Sequence, residues 1–292
     1  MTGVDHLILT RFNLPTPGPE SLVRAQDGWL QNRVVLFERH TVATMRAQTE
    51  RGFTWIIYFD PESPRWLIDR LAPLIEEGLF VPVYRETVSW HDVVVDARAV
   101  FASPRDLLLT TNLDNDDAVA VDFVARLQDA ARQHPGHAIY LRKGLILQGE
   151  ALYLRDDPDN AFCSVSETWD APITAWRDWH ILLREHLPVV SLDGPPAWLQ
   201  VIHGQNVSNR VRGVRTDAAA HVAAFPGQLD SVPSAPRGRI WLDRSVLGPL
   251  RALRDSGRTI GKKVVMRVGG KNALDGVKSA ARRLSSPLRP SR

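Results

Sequence analysis

A chain of 292 residues with 44% hydrophobic content supports one sizeable core and leaves length for an appendage. The single cysteine, Cys163, excludes an intramolecular disulfide and Cys₂ or Cys₄ zinc sites, and no apolar run approaches the length needed to cross a bilayer. The net charge of +3 hides a segregation: residues 237–292 carry 15 Lys/Arg against 3 Asp/Glu, and residues 1–236 carry 21 against 30. The acidic body therefore does not suit nucleic acid, whereas the basic tail suits an anionic surface. The opening Met1 to His6 lacks a basic segment followed by an apolar stretch, so no secretory signal is indicated and a cytoplasmic protein is expected.

In chain order, Val4 to Thr10 predicts a first strand that delivers Arg11, Phe12 and Asn13 into a loop kept irregular by Pro15, Pro17, Gly18 and Pro19. Trp29 to Thr49 is a helical region. Trp55 to Phe59 is a buried strand ending at Asp60, and Pro61 blocks its continuation. Pro64 to Glu77 predicts a helix closed by Gly78, Phe80 to Tyr84 a third strand, and His91 to Phe101 a helix or loop. Leu107 to Leu109 is a further buried strand, and Val119, Phe123, Leu127 and Ala131 then recur at helical spacing. This alternation predicts a mostly parallel α/β sheet flanked by helices.

The pattern then shifts to short strands, Ala138 to Leu141, Leu145 to Leu147, Ala151 to Arg155 and Ala161 to Val165, which predict a mixed or antiparallel extension. Cys163 sits in the last of these runs, as a buried small hydrophobe would. Thr174 to Glu185 predicts a helix carrying Trp176 and Trp179. Leu199 to Ile202 predicts a strand before His203. Ala223 to Pro236 looks like a linker, Ile240 to Arg254 an amphipathic helix, and the chain beyond about Leu284 is expected to be disordered. The expected division is a domain over 1–215 and an appendage over 216–292.

Between the Leu107 strand and the helix after it lie Asp114, Asp116 and Asp117. In open α/β sheets the carboxyl ends of the strands are where ligands bind. Like charges this close repel, and Asp114 and Asp116 could present hard oxygen ligands to Mg²⁺ or Mn²⁺. Asp116 and Asp117 could equally cap the following helix.

The run Leu109-Thr-Thr-Asn-Leu-Asp-Asn-Asp-Asp117, with Leu9 to Asn13, Leu36-Phe-Glu38, Trp55 to Asp60 and His203-Gly-Gln-Asn206, resembles the bacterial rhamnosyl transferase family across most of Asp5 to Asn209. The resemblance implies a GT-A glycosyltransferase fold. It also implies a metal-dependent enzyme that moves rhamnose or another deoxyhexose from a nucleoside-diphosphate sugar to a glycan or lipid-linked acceptor. Mn²⁺ or Mg²⁺ would be held by Asp114 and Asp116, with His203 completing the shell. Asp117 would orient the motif or contact ribose, Asp60 would meet the nucleobase, and Arg11 would reach the diphosphate. Asn112 stands where an Arg is expected, which bears on the donor.

Inversion at the anomeric carbon needs a group that takes the acceptor hydroxyl's proton. Glu167 and Asp170 are the first candidates, ahead of His180, and Trp169, Trp176 and Trp179 could stack on a sugar or simply fill the core. The basic tail could hold the protein at the inner face of an anionic membrane. Two other classes compete: a metal-dependent phosphohydrolase or nucleotidyltransferase, and a glycan- or lipid-binding protein without activity.

Overall fold

The computed structural model describes residues 2–15, 28–203 and 211–251. Four strands, β1 (Val4–Arg11), β2 (Thr54–Phe59), β3 (Val81–Tyr84) and β4 (Leu107–Asn112), lie parallel in the order β3-β2-β1-β4. The near-continuous apolar runs of β1, β2 and β4 are buried on both faces, as central parallel strands must be. Helices make the crossovers. α1 (Trp29–Leu36) runs through a π turn (Phe37–Val42) into α2 (Ala43–Arg46) between β1 and β2. α3 (Arg65–Glu76) follows β2 and is closed by Gly78 at φ 74°, a left-handed conformation that glycine adopts without strain. α4 (Trp90–Val100) precedes β4 and starts at a capping box in which Ser89 and Asp92 each bond the other's backbone N–H.

After β4 the direction changes. β5 (Ala118–Val119) is a short strand, α5 (Phe123–Gln133) leads to β6 (His137–Leu141), and a hairpin follows of β7 (Lys143–Gln148) and β8 (Ala151–Asp156). β9 (Ser164–Glu167) then runs antiparallel between β4 and β6, and β10 (Val189–Leu192) pairs parallel with β6. The first sheet is thus β10-β6-β9-β4-β1-β2-β3. β11 (Trp198–Ile202) and β12 (Val214–Arg215) complete a second sheet, β12-β8-β7-β11-β5. This is the expected GT-A-like α/β architecture: a mostly parallel sheet with one reversed strand and a mixed extension.

Four expectations change. Val119 belongs to β5 and not to the helix, because β11 captures it through the Trp198–Val119 register. Thr174 to Glu185 is irregular with a 3₁₀ stretch (His180–Glu185): Thr174 is left-handed at φ 64°, which a continuing helix does not accept. Residues 223–236 are no linker, since Phe225 and Leu229 are buried with Leu145, Leu199 and Val201 over the second sheet. The packed body of the first unit accordingly continues past residue 215, to residue 240. The segment expected to be disordered, beyond Leu284, lies outside the described residues, as do Gly204 to Asn206 and Pro17 to Pro19.

Candidate active site

β1, β2 and β4 end on the same edge of the sheet, so Arg11, Asp60 and the loop after Asn112 share one rim. That loop is pinned from both sides. The Leu113 N–H donates to the Leu9 carbonyl at 3.0 Å and Thr10 Oγ1 donates to the Leu113 carbonyl at 2.7 Å. Asn115 Nδ2 donates to the carbonyls of Arg11 and Phe12 at 2.9 and 2.7 Å. A turn rich in carboxylates is thereby fastened by backbone bonds that do not consume the carboxylates.

The three aspartates have three different surroundings. Asp114 is exposed to solvent, although many protein atoms surround its carboxylate. Lost hydration and the neighbouring Asp116 raise its pKa, against the opposing pull of Asn112, Arg11 and His180. Asp116 is buried. Its Oδ2 lies 2.9 Å from His203 Nε2 and pairs with the Arg33 guanidinium. Burial works to raise its pKa, but His203 and Arg33 together outweigh burial and the net shift is downward. Asp117 is buried more deeply still. Its Oδ1 accepts from the Val201 N–H at 2.9 Å, its carbonyl accepts from Thr41 Oγ1 at 2.8 Å, and burial followed by Asp116 and Asp114 pushes its pKa well up.

These bonds explain how His203 reaches Asp116 across 87 positions. β5 pairs with β11, Asp117 holds Val201 of β11, and His203 follows two residues later. The π turn serves the same end. A π segment interrupts the regular helical ladder and recurs at functional sites; here it presents Thr41 to the Asp117 carbonyl. One turn earlier, Arg33 reaches both Asp116 and Asn115 Oδ1, the latter at 3.0 Å. Arg33 and Thr41 escaped the sequence reading because helical residues at ordinary spacing carry no local mark of the loop they meet.

Of the residues expected at the site, the structure brings together Arg11, Asp114, Asp116, Asp117 and His203. The Arg11 guanidinium lies 3.7 Å over the Trp176 ring, and Trp176 Nε1 donates to Asn112 Oδ1 at 2.8 Å. Asn112, in the place of an expected Arg, thus fixes the indole on which Arg11 rests. Asp60 is on the rim, where its Oδ1 accepts from the Glu62 N–H at 2.9 Å in a local turn.

The structure does not bring Glu167 and Asp170 to this rim. Because β9 is antiparallel, Glu167 pairs with Leu108 near the start of β4, roughly 13 Å along the strand from Asn112 at 3.3 Å per residue. Its carboxylate accepts from the N–H groups of Ile173 and Thr174, and burial raises its pKa. Beyond it, Trp169 Nε1 donates to Asp5 Oδ2 at 3.2 Å, which holds the next turn and Asp170 at the far end of the sheet. His180 stands nearer the acidic loop than either carboxylate, close enough to be among the groups that influence Asp114. Its Nδ1 faces the Asp159 carbonyl, which places the proton on Nδ1 and leaves Nε2 as the acceptor. Trp176 is buried, Trp179 is 72% exposed, and the Cys163 thiol is buried with its pKa pushed up to about 12, so it is no nucleophile.

A mostly parallel sheet with one reversed strand thus carries, on its carboxyl edge, an acidic loop flanked by arginines, the arrangement expected of a GT-A-like fold. Residues 5–215 match the family described as "Putative rhamnosyl transferase", and the chain belongs to that family. Among solved structures, the chain is similar to S. aureus TarS 1-349 in complex with UDP, at 9% identity and TM-score 0.40 over 68% of this chain and 60% of that one. It is similar to GalNAc-T7 with UDP, GalNAc and Mn2+, at 17% identity and TM-score 0.31 over 49% of this chain and 23% of that one. It is also similar to the inositol-1-phosphate CTP transferase of T. maritima, at 12% identity and TM-score 0.34 over 72% and 94%. No curated protein matches the chain.

Proposed function

We propose that the protein transfers a deoxyhexose, rhamnose by family membership, from a nucleoside-diphosphate sugar to a glycan or lipid-linked acceptor. The observation that carries this reading is the meeting of His203, Asp116 and Arg33 beside Asp114 and Arg11 on one rim of the sheet. Two guanidiniums beside a carboxylate pair suit an anionic leaving group that needs both cations and an ordered ion.

Among the described residues, no three His, Cys, Asp or Glu side chains are gathered tightly enough to hold an ion by themselves. Mg²⁺ and Mn²⁺ do not require that, because one or two protein ligands plus phosphate oxygens and water complete their shells. The donor set fits on these terms: Asp116 and His203 would hold the ion, with Asp114 facing it. When bound, the ion would neutralise charge on the departing diphosphate. Arg11, held flat by Trp176, orients the diphosphate from the opposite side. For an inverting transfer, His180 Nε2 takes the acceptor proton, replacing Glu167 and Asp170 in that role. A cytoplasmic location belongs to the same reading, supported by the single buried cysteine. No helix among the described residues is long and apolar enough to cross a membrane.

The test is a thermal-shift panel of UDP, TDP, GDP and CMP with Mn²⁺, Mg²⁺ or EDTA, on wild type and Asp116→Ala. A ligand at about 100 times its Kd adds about 2.7 kcal/mol to the folded state. A metal-dependent rise with one diphosphate, lost in the variant, is expected. A flat response to every nucleotide would sink the transferase reading. A product assay then separates transfer from hydrolysis, since only a transferase keeps the sugar on an acceptor.

A further inference from the structure

Twelve large hydrophobic side chains are exposed among the described residues, and five of them fall within ten consecutive positions. Trp241 is 67% exposed, Leu242 44%, Val246 42%, Leu247 44% and Leu250 57%. They lie on a run of helical turns comprising α6 (Arg237–Leu242), a π turn (Asp243–Leu247) and residues 248–251. Leu242, Val246 and Leu250 recur every fourth residue and so form one stripe, with Leu247 beside it and Trp241 about a quarter-turn round the helix from Leu242. Asp243 is buried and held by both terminal nitrogens of Arg251, at 2.8 and 2.6 Å, so the acid of this segment is already neutralised. Arg237, Arg239 and Arg244 are exposed around the same turns.

We propose that residues 237–251 lie on a bilayer containing anionic phospholipid, with Leu242, Val246 and Leu250 set among the upper acyl carbons and Trp241 at headgroup level. A short helical segment that exposes an apolar stripe, with Arg237 and Arg244 turned away from it and Arg239 at its N-terminal end able to snorkel to the headgroups, settles in the interface plane. Charge selects the occupant. Residues 237–292 carry 15 Lys/Arg against 3 Asp/Glu and residues 1–236 carry 21 against 30, so an anionic surface attracts this end and repels the rest. Adsorption by charge alone would leave five apolar side chains in water, and a neutral apolar partner would leave the arginines unanswered. An anionic bilayer satisfies both.

The experiment uses the full chain and vesicles of phosphatidylcholine, with and without phosphatidylglycerol, in a co-sedimentation assay. Wild type should bind the mixed vesicles and not the neutral ones. Binding should weaken in 1 M salt, where the screening length falls to about 3 Å. Leu242→Glu with Leu250→Glu should reduce partitioning at least about tenfold, because each leucine gives up roughly that factor when it stays in water. Val246→Trp, which enlarges the same face, should bind at least as tightly as wild type. Both variants should keep the wild-type circular dichroism and the nucleotide response, which reports on the transferase reading separately. The proposal is overturned if the double variant binds as wild type does, if wild type ignores mixed vesicles, or if the stripe proves to hold two copies of the chain together in gel filtration.

Discussion

His6 sits between two parallel strands with no exposure, its Nε2 2.8 Å from Thr111 Oγ1, and its Nδ1 finds no partner among the described residues. Burial drives its pKa down to about 3. Between that value and the unfolded 6.5, the unfolded chain binds a proton that the folded chain refuses, so stability falls as pH drops. The expected contribution is ~1.4 kcal/mol per pH unit below about 6, and urea titrations of wild type and His6→Gln between pH 6.5 and 4.5 should show a shallower acid slope in the variant. Glu167 has the opposite sense: its raised pKa means that stability is lost as pH climbs from its unfolded value through its folded one. Glu167→Gln keeps an acceptor for Ile173 and Thr174 and removes that loss. It should be at least as stable as wild type at pH 8 and leave turnover within about threefold, whereas His180→Ala should lower turnover by about 10²–10⁴, the usual worth of a general base. A collapse of turnover in Glu167→Gln would restore the original assignment. Asp114, Asp116 and Arg11 were legible because charge at the end of an apolar strand is a local signal. The placement of Glu167 was not, because four residues of β9 look the same whether the strand runs up or down the sheet.

At the level of elements, β11 is the part on which the site depends, and its seating depends on Gly144. A Cβ at Gly144 would fall 2.0 Å from the Trp198 ring, far inside contact distance. Trp198 in turn stacks on Phe162 with ring centres 5.1 Å apart and donates from Nε1 to the Leu141 carbonyl at 2.8 Å. Gly144→Ala must move the indole or the strand and should cost about 1–3 kcal/mol. Since Val201 and His203 ride on the same strand, its nucleotide-dependent thermal shift should shrink by more than the loss of stability alone explains. An unchanged shift would detach His203 from ligand binding. The parallel strands and their helices were readable because alternation and buried runs are properties of the residues themselves. The 174–185 stretch was misread because its tryptophan spacing imitates a helix, while Thr174 in a left-handed conformation is set by the bond from its N–H to Glu167 and by Ala175 donating to Thr110.

For the whole molecule, the composition shift near residue 214 marked the end of the sheet-forming sequence but not the end of the packed body, because Phe225 and Leu229 complete the second core from an Ala- and Pro-rich background. A chain ending at Ile240 retains 23 Lys/Arg against 30 Asp/Glu. It should bind an anion exchanger where the full chain does not, and should keep the full nucleotide response, which melting curves of the two proteins will compare. Loss of the response on truncation would mean that residues 241–292 supply part of the site. The 87-position span between Asp116 and His203 also sets a schedule for biosynthesis. At about 5–20 residues per second, on the order of 4–17 s separate the emergence of the acidic loop from that of the histidine it awaits. Arg33, which pairs with Asp116 in the folded protein, is already translated during that interval and so can serve as a provisional counter-ion before His203 emerges.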